Sequence, residues 1–486
     1  MQHTENGSMI LKQYADTPVI RAINRFLNSR EFIGVVAFLA LCSNVLGWEF
    51  AVYTVIITYG IYLCLFAQDM RSLAAVVPLM YVTPSVQNNP ASNPDSIFYP
   101  QNGMWILIAY LAVYFVLLGV RIALNIKKDN FFLHKRKFAV GLLVLGGAFA
   151  LGGLGQPEYS VLNLRYSFLL LISFLLFYYC MIALVDWSDV PHDYFAWVGV
   201  YFGVLLCGEL ANVYLTGNVF GEAGEIIRVN IYTGWGVYNN IACMIVCCIP
   251  CAFYLAATEK HAYLFSALGI VFYIVNFLTM SRNGQLIGAF VLLISAAFAL
   301  WNKPNRKKNL YTYAVLIALA AIAVVAFFEP IKQALKVLIQ VGFNDMGRKD
   351  LYYKGLQQFL ASPFNGKGFY ACEGYRWGGV EQMTFVPPRW HNTPIQILAS
   401  CGVVGALAYG YHRYQTIRAC VQKPSLTKTF VALAAAAILL CSLLDCHLFN
   451  IGPGLFYSVA LAFIEKDDKL LRQPPLLGQS GFQKRK

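Results

Sequence analysis

The spacing of apolar residues constrains this chain more than any other feature. They fall in blocks about as long as a helix needs to cross a bilayer, with polar punctuation between them. Fourteen such segments can be read, at roughly 31–47, 49–67, 71–84, 104–124, 138–155, 166–185, 194–216, 237–256, 262–280, 285–301, 310–328, 393–411, 429–446 and 452–465. The third is short for a span and the last marginal, so about 12–14 spans are expected. Composition agrees: the 486 residues are 58% hydrophobic and only 13% charged, with mean hydropathy +0.56. A soluble surface would need far more charge. The expected fold class is all-α, a polytopic transmembrane helical bundle.

Lysine and arginine number 37 against 24 acids. Such an excess can mark nucleic-acid binding, but no nucleic-acid motif accompanies it, and basic loops on a membrane protein mark the cytoplasmic side. With the N-terminus inside, 26 of the 37 basic residues are cytoplasmic, and eight of the other 11 lie in the single segment 329–392. The acidic inner loop from Asp186 to Asp193 does not follow the pattern. The layout is therefore a cytoplasmic segment 1–30, helices 1–11 over 31–328, an extracytoplasmic loop 329–392, helices 12–14 over 393–465, and a basic cytoplasmic tail 466–486. Both termini are expected inside. Residues 1–30 lack the charged, apolar and cleavage regions of a signal peptide and are expected to stay attached.

Most of the 13 cysteines lie in apolar runs. Cys243, Cys247, Cys248 and Cys251 share a helical spacing without a nearby histidine or carboxylate, which suits small core residues better than metal ligands. Cys372, in the long polar segment, has no evident partner, and no disulfide framework is visible.

Two outer connections are long. Residues 85–103 are rich in Asn and Pro and read as irregular. Segment 329–392 carries helical patterning instead. Ile331, Leu335, Leu338 and Ile339 share one face, as do Leu351, Tyr352, Leu356, Phe359 and Leu360. A helical extracytoplasmic cap is expected there.

Three positions on that side could carry chemistry. Arg282, in the turn Ser281-Arg282-Asn283-Gly284, defies the charge bias at headgroup depth. It could snorkel or cap a helix, or its guanidinium fork could bind an anion. Arg348 begins a cap helix, where a cation opposes the helix dipole; ligand binding and plain solvation both fit. His391 precedes Thr393, a good N-cap, and Pro394, suited to the first helical position. The dipole there favours neutral imidazole, which accepts protons; simple packing beside Trp390 is the competing reading. Asp445 and His447 could join His391 in a polar cluster. Metal catalysis and a nucleophilic triad both lack a motif.

In order, Ser281-Arg282-Asn283-Gly284, Arg348, the turn Ser362-Pro363-Phe364-Asn365-Gly366-Lys367-Gly368, and His391-Asn392 leading to Gly402-x-x-Gly405 resemble the O-antigen ligase and polymerase (Wzy-like) membrane family, most firmly over about 237–411. The resemblance implies a metal-independent, GT-C-like glycosyltransferase without a cofactor. Its implied partners are an undecaprenyl-diphosphate-linked glycan donor, a glycan acceptor and the bilayer of a bacterial plasma membrane, with the pathway's flippase and chain-length regulator beside it. Arg282 and Arg348 would bind the donor diphosphate, and His391 would be the general base. Tyr370, Tyr375, Trp377, Arg389, Trp390 and Asn392 would contact sugar. A polymerase is the first reading and a ligase delivering glycan to lipid A core or protein the second. From other classes, a transporter or flippase would draw on Glu209, Asn212 and Pro250, and a non-catalytic scaffold would draw on none of these.

Overall fold

In the computed structural model of the protein, every one of the fourteen apolar segments carries a helix, and among the described residues two further helices lie outside them. The structure describes residues 17–67, 69–81, 104–125, 136–216, 219–222, 225–233, 236–326, 347–371, 387 and 389–470. The helices are α1 (Pro18–Leu27), α2 (Arg30–Leu46), α3 (Glu49–Phe66), α4 (Leu73–Tyr81), α5 (Met104–Asn125), α6 (Ala139–Leu151), α7 (Val161–Leu184, with a π segment at Ile172–Leu176), α8 (Tyr194–Thr216) and α9 (Tyr238–Thr258). They continue as α10 (Ala262–Phe277), α11 (Arg282–Trp301), α12 (Arg306–Ala326), α13 (Arg348–Ala361), α14 (Thr393–Val421), α15 (Leu426–Cys441) and α16 (Ile451–Leu470). The expected all-α polytopic bundle is what forms.

Among the described residues, six helices are long and apolar enough to cross a membrane: α5, α7, α8, α9, α11 and α14. The pair α1 and α2, bent by 70°, makes a seventh if counted as one span. Helices α6, α10 and α15 run 13, 16 and 16 residues, and α4 has nine with Pro78 inside it. Segment 71–84 is thus as short as its sequence suggested.

Helix α9 forms the axis of the bundle. Its apolar window is 94% buried, against 11% for α5 at the periphery, and it packs on α8, α10, α11 and α15. Because lipid is as apolar as a leucine side chain, helices in a bilayer associate through close packing. Small residues allow it: a Cβ on Gly284 of α11 would stand 2.6 Å from that of Ala242 on α9. The cysteines of α9 serve this core, with Cys247 and Cys248 thiols donating to the Met244 carbonyl at 3.0 and 3.1 Å.

Helix α14 is broken at Gly402 (φ 61, ψ −158), a left-handed position where a Cβ would collide with the Phe364 carbonyl oxygen. The break strands backbone groups on both sides, and the turn 362–368 satisfies them. Lys367 and Gly368 N–H donate to the Ala399 and Ser400 carbonyls at 3.0 and 2.9 Å. Val403 and Val404 N–H donate to the Pro363 and Phe364 carbonyls at 2.9 and 3.2 Å. The motifs at 362–368 and 402–405 are therefore one structural joint.

The connection from α8 to α9 is ordered by a two-stranded hairpin, β1 (Tyr232–Thr233) and β2 (Gly236–Val237), and by a bridge between Phe220 and Ile226. At the far end of the bundle, the acidic loop that broke the charge pattern has a partner: the Asp189 carboxylate accepts from Arg71 at 2.8 Å.

Three local expectations need correction. Asn392, not Thr393, is the N-cap of α14. Arg282 to Gly284 are the first turn of α11, capped by Ser281, rather than a turn between helices. On α13, Leu356 and Leu360 are exposed, because the helix meets α14 through Leu351 and Gly355. The patterned stretch Ile331–Ile339 and residues 85–103 lie outside the described residues.

Candidate active site

Asp445 is the hub of a polar network where the starts of α9, α11, α13 and α14 converge on the connection 442–450. Its Oδ1 accepts from His391 Nδ1 at 3.0 Å and from the Cys446 N–H at 2.7 Å. Its Oδ2 accepts from Asn239 Nδ2 at 2.9 Å and lies 3.9 Å from Arg348 Nη2. Arg348 Nη1 also donates to the Leu444 carbonyl at 2.9 Å. Burial alone would raise the Asp445 carboxyl. The hydrogen bonds from His391 and from the Cys446 N–H oppose burial and favour the ionised form, so the carboxyl is held well below the usual carboxylate range. An ionised carboxylate only accepts, so the proton of the His391–Asp445 bond sits on Nδ1.

His391 is delivered by an unusual backbone. Its φ of 51 lies in the left-handed region, uncommon for a residue with a side chain and frequent at sites where surrounding structure holds strain. The next residue caps α14: Asn392 Oδ1 accepts from Ile395 N–H at 2.9 Å while its Nδ2 donates to the Leu443 carbonyl at 2.8 Å. Thr393, relieved of capping, bonds the Asp445 carbonyl through Oγ1 at 3.3 Å. Tyr352 of α13 donates to the His391 carbonyl at 3.1 Å. The imidazole keeps 18% of its surface exposed.

The start of α11 repeats this device. Met280 is left-handed (φ 56) and Ser281 caps the helix, its Oγ accepting from Gly284 N–H at 3.3 Å. The same hydroxyl donates to Asn239 Oδ1 at 2.7 Å, joining the Arg282 turn to Asp445 through one amide. Arg348 and a third arginine, Arg228, both lie close enough to act on Arg282 as like charges. The Arg228 guanidinium stands 4.0 Å over the ring of Tyr238, the first residue of α9.

His447 lies beneath, fully buried. Its Nδ1 is 3.0 Å from Asn240 Oδ1, which also accepts from Asn450 Nδ2 at 2.6 Å. An amide oxygen only accepts, so the proton is on Nδ1, and Nε2 faces Asn283 Nδ2 at 3.4 Å. Burial pushes this imidazole down to about 4, and the Asp445 charge offsets only part of the drop. His447 is a neutral structural group.

Of the expected site residues, Arg282, Arg348 and His391 are brought together. Arg389 donates to the Phe449 carbonyl at 3.3 Å, and Tyr370 is half-buried edge-on against Tyr166. Trp390 is 2% exposed, its ring packed on Gly355, Ile395 and Ala399, so it wedges α13 onto α14 and presents no face to a sugar. Both ends of the Asn392 amide are committed to backbone. Tyr375 and Trp377 lie outside the described residues. The sequence had not singled out Asn239, Asn240 or Arg228. The charge bias that drew attention to Arg282 applied equally to Arg228, one of only three basic residues expected outside beyond segment 329–392.

Residues 246–410 match the family model described as O-antigen ligase (Wzy_C). The match runs from within α9 to within α14 and takes in Arg282, Arg348 and His391. It stops short of Arg228 and Asn239 on one side and Asp445 on the other. No curated protein matches the chain.

Proposed function

We propose that this chain, an O-antigen ligase/polymerase-like membrane protein by its residues 246–410, transfers a glycan from a polyprenyl diphosphate to a hydroxyl of an acceptor. The observation that carries the reading is the 3.0 Å bond from His391 Nδ1 to Asp445, in a site that also gathers Arg282 and Arg348. With the proton fixed on Nδ1, Nε2 is the nitrogen that takes the acceptor's hydroxyl proton. The hydroxyl oxygen then bonds the anomeric carbon, and the bond from that carbon to the phosphate oxygen breaks. The electron pair leaves on the diphosphate, where Arg282 and Arg348 stabilise it in the role a divalent cation fills elsewhere. Asp445 acts through His391 by orienting it.

The charge alternation along the chain supports a site on the outer face of a bacterial plasma membrane, with both termini cytoplasmic. Apolar helices around the site suit a polyprenyl tail, and Tyr370 and Arg389 remain the candidates for sugar contact. The first reading of the acceptor is a growing lipid-linked glycan, which makes the protein a repeat-unit polymerase; a helix on each of fourteen apolar segments favours it. The second is a ligase acting on lipid A core or protein, favoured by the description of the matched family. Deleting the gene and displaying the glycans on a gel decides. Single repeat units on the carrier indicate the polymerase and unattached full-length polymer the ligase. An unchanged profile sinks both.

A further inference from the structure

We infer that Arg228 is a third guanidinium of the donor site, placed to bind the leaving diphosphate together with Arg282 and Arg348. The inference rests on the transfer reading above and adds a residue to it.

Backbone bonds fix Arg228 in place. Ile227 N–H donates to the Val219 carbonyl at 2.7 Å, a single 3-10 turn spans Arg228–Asn230, and Tyr238 N–H returns to the Ile231 carbonyl at 3.0 Å. The guanidinium rests 4.0 Å over Tyr238, a contact that holds a cation without neutralising it. Tyr238 is followed directly by Asn239, the amide bridging Ser281 and Asp445. Arg228 Nε is buried and has no hydrogen-bond partner among the described residues. A buried donor left unspent is costly, so native structures seldom keep one without a use.

Charge points the same way. Arg228 and Arg348 both repel Arg282. An anion shared by the three guanidinium groups would relieve that repulsion. The chemistry asks for such an anion to be held most tightly late in the reaction. Breaking the bond from the anomeric carbon to the phosphate oxygen gives the diphosphate one further negative charge. A third guanidinium therefore contributes more to the departing group than to the bound donor.

Purified full-length protein in nanodiscs, with farnesyl diphosphate as the leaving-group probe, tests this. Arg228→Ala should weaken probe binding about tenfold to a hundredfold, the range for losing a charged hydrogen bond. The melting temperature of the unliganded protein should hold or rise at low salt, because repulsion is relieved. Arg228→Lys should restore part of the affinity. Turnover of lipid-linked donor should show a larger loss in kcat than rise in KM. If Arg228→Ala binds the probe like wild type while Arg282→Ala and Arg348→Ala lose it, Arg228 is not in the site. If Arg228→Ala lowers the unliganded melting temperature and Arg228→Lys restores stability without affinity, its role is structural and the inference falls. An equal loss for farnesyl monophosphate and diphosphate reduces the assignment to a general phosphate contact and overturns it. If all three alanine variants bind like wild type, the transfer reading fails as well.

Discussion

Where α3 runs into α4, Arg71 is closed between two carboxylates, Asp69 at 2.5 Å and Asp189 at 2.8 Å, and nearby at the same end Arg136 lies 3.6 Å from Glu465. At the opposite end Arg228 and Arg348 crowd Arg282 instead. The carboxylate in reach of Arg348 is Asp445, 3.9 Å away and already engaged by His391 and Asn239. The paired arginines have their charge spent on the fold, fastening one loop to the next. The gathered ones repel one another, and an anion placed among them would relieve that repulsion. One residue type thus serves two purposes, pairing with carboxylates at one end and crowding with its own kind at the other.

The largest expected effect falls on the group that moves the proton. His391→Ala should cut glycan transfer about 10²–10⁴-fold, the usual share of a general base, without loss of folded protein. The check is transfer from a lipid-linked donor by purified protein, normalised to its monodisperse fraction. Arg348→Ala or Arg282→Ala should follow at about 10²–10³-fold, by analogy with removing one donor that stabilises developing negative charge. Arg71→Ala should do the reverse. Leaving Asp69 buried without its partner costs about 3–5 kcal/mol of stability, while turnover per folded molecule stays near wild type. If Arg348→Ala melts as early as Arg71→Ala, the contrast between the two ends is wrong.

Gly402→Ala sharpens the comparison by testing what holds the site end in shape. The left-handed backbone at 402 and the collision with the Phe364 carbonyl oxygen together should cost about 1–3 kcal/mol and loosen the turn 362–368. Melting temperature and transfer rate should fall together. A stable variant with normal turnover would show that the joint does not position the site.

How much of this was legible in the sequence depends on the range of the interaction concerned. The helices were, because apolar block length is a local property and each of the fourteen blocks became one. Arg282 and His391 could each be picked out too, since charge at a disfavoured depth and a lone histidine before a helix are visible in a short window, but joining them with Arg348 in one site took the family resemblance. What stayed hidden was set by distant partners. Asn392 and Thr393 are both good caps, and the choice is settled by Leu443 and Asp445 some fifty residues on. Gly402 sits inside a continuous apolar run, so nothing nearby announced that the helix breaks there. Trp390 looked like a sugar platform until Gly355 provided the gap that buries it. Asp445 and His447 were visible as neighbours of interest. That one is an ionised hub and the other a neutral prop depends on burial and on the asparagines of α9.

That last distinction yields the smallest predicted effect, and it bears on why the site end carries no more charge than its arginines supply. Burial moves the His447 imidazole from 6.5 to about 4, while the unfolded chain keeps the ordinary value. Between those values the unfolded state binds more protons than the folded one. The contribution to stability is therefore complete above about pH 6.5 and is lost progressively as pH falls toward 4. At pH 5.5 the loss should be about 1 kcal/mol, one unit below the unfolded value being worth roughly that much. Asp445, whose carboxyl is held low, stays charged across this window and gives up its own contribution only below the ordinary carboxylate range. Thermal unfolding is measured from pH 7 to 5 with and without His447, both in the His391→Ala background, so that the remaining histidines contribute equally to the two slopes. His447→Gln should flatten the slope there, since glutamine does not titrate. A slope left unchanged by the substitution would mean that His447 accepts a proton at ordinary cost. The gathered arginines would then have a fourth cation beneath them, and the balance that separates the two ends of the bundle would have to be redrawn.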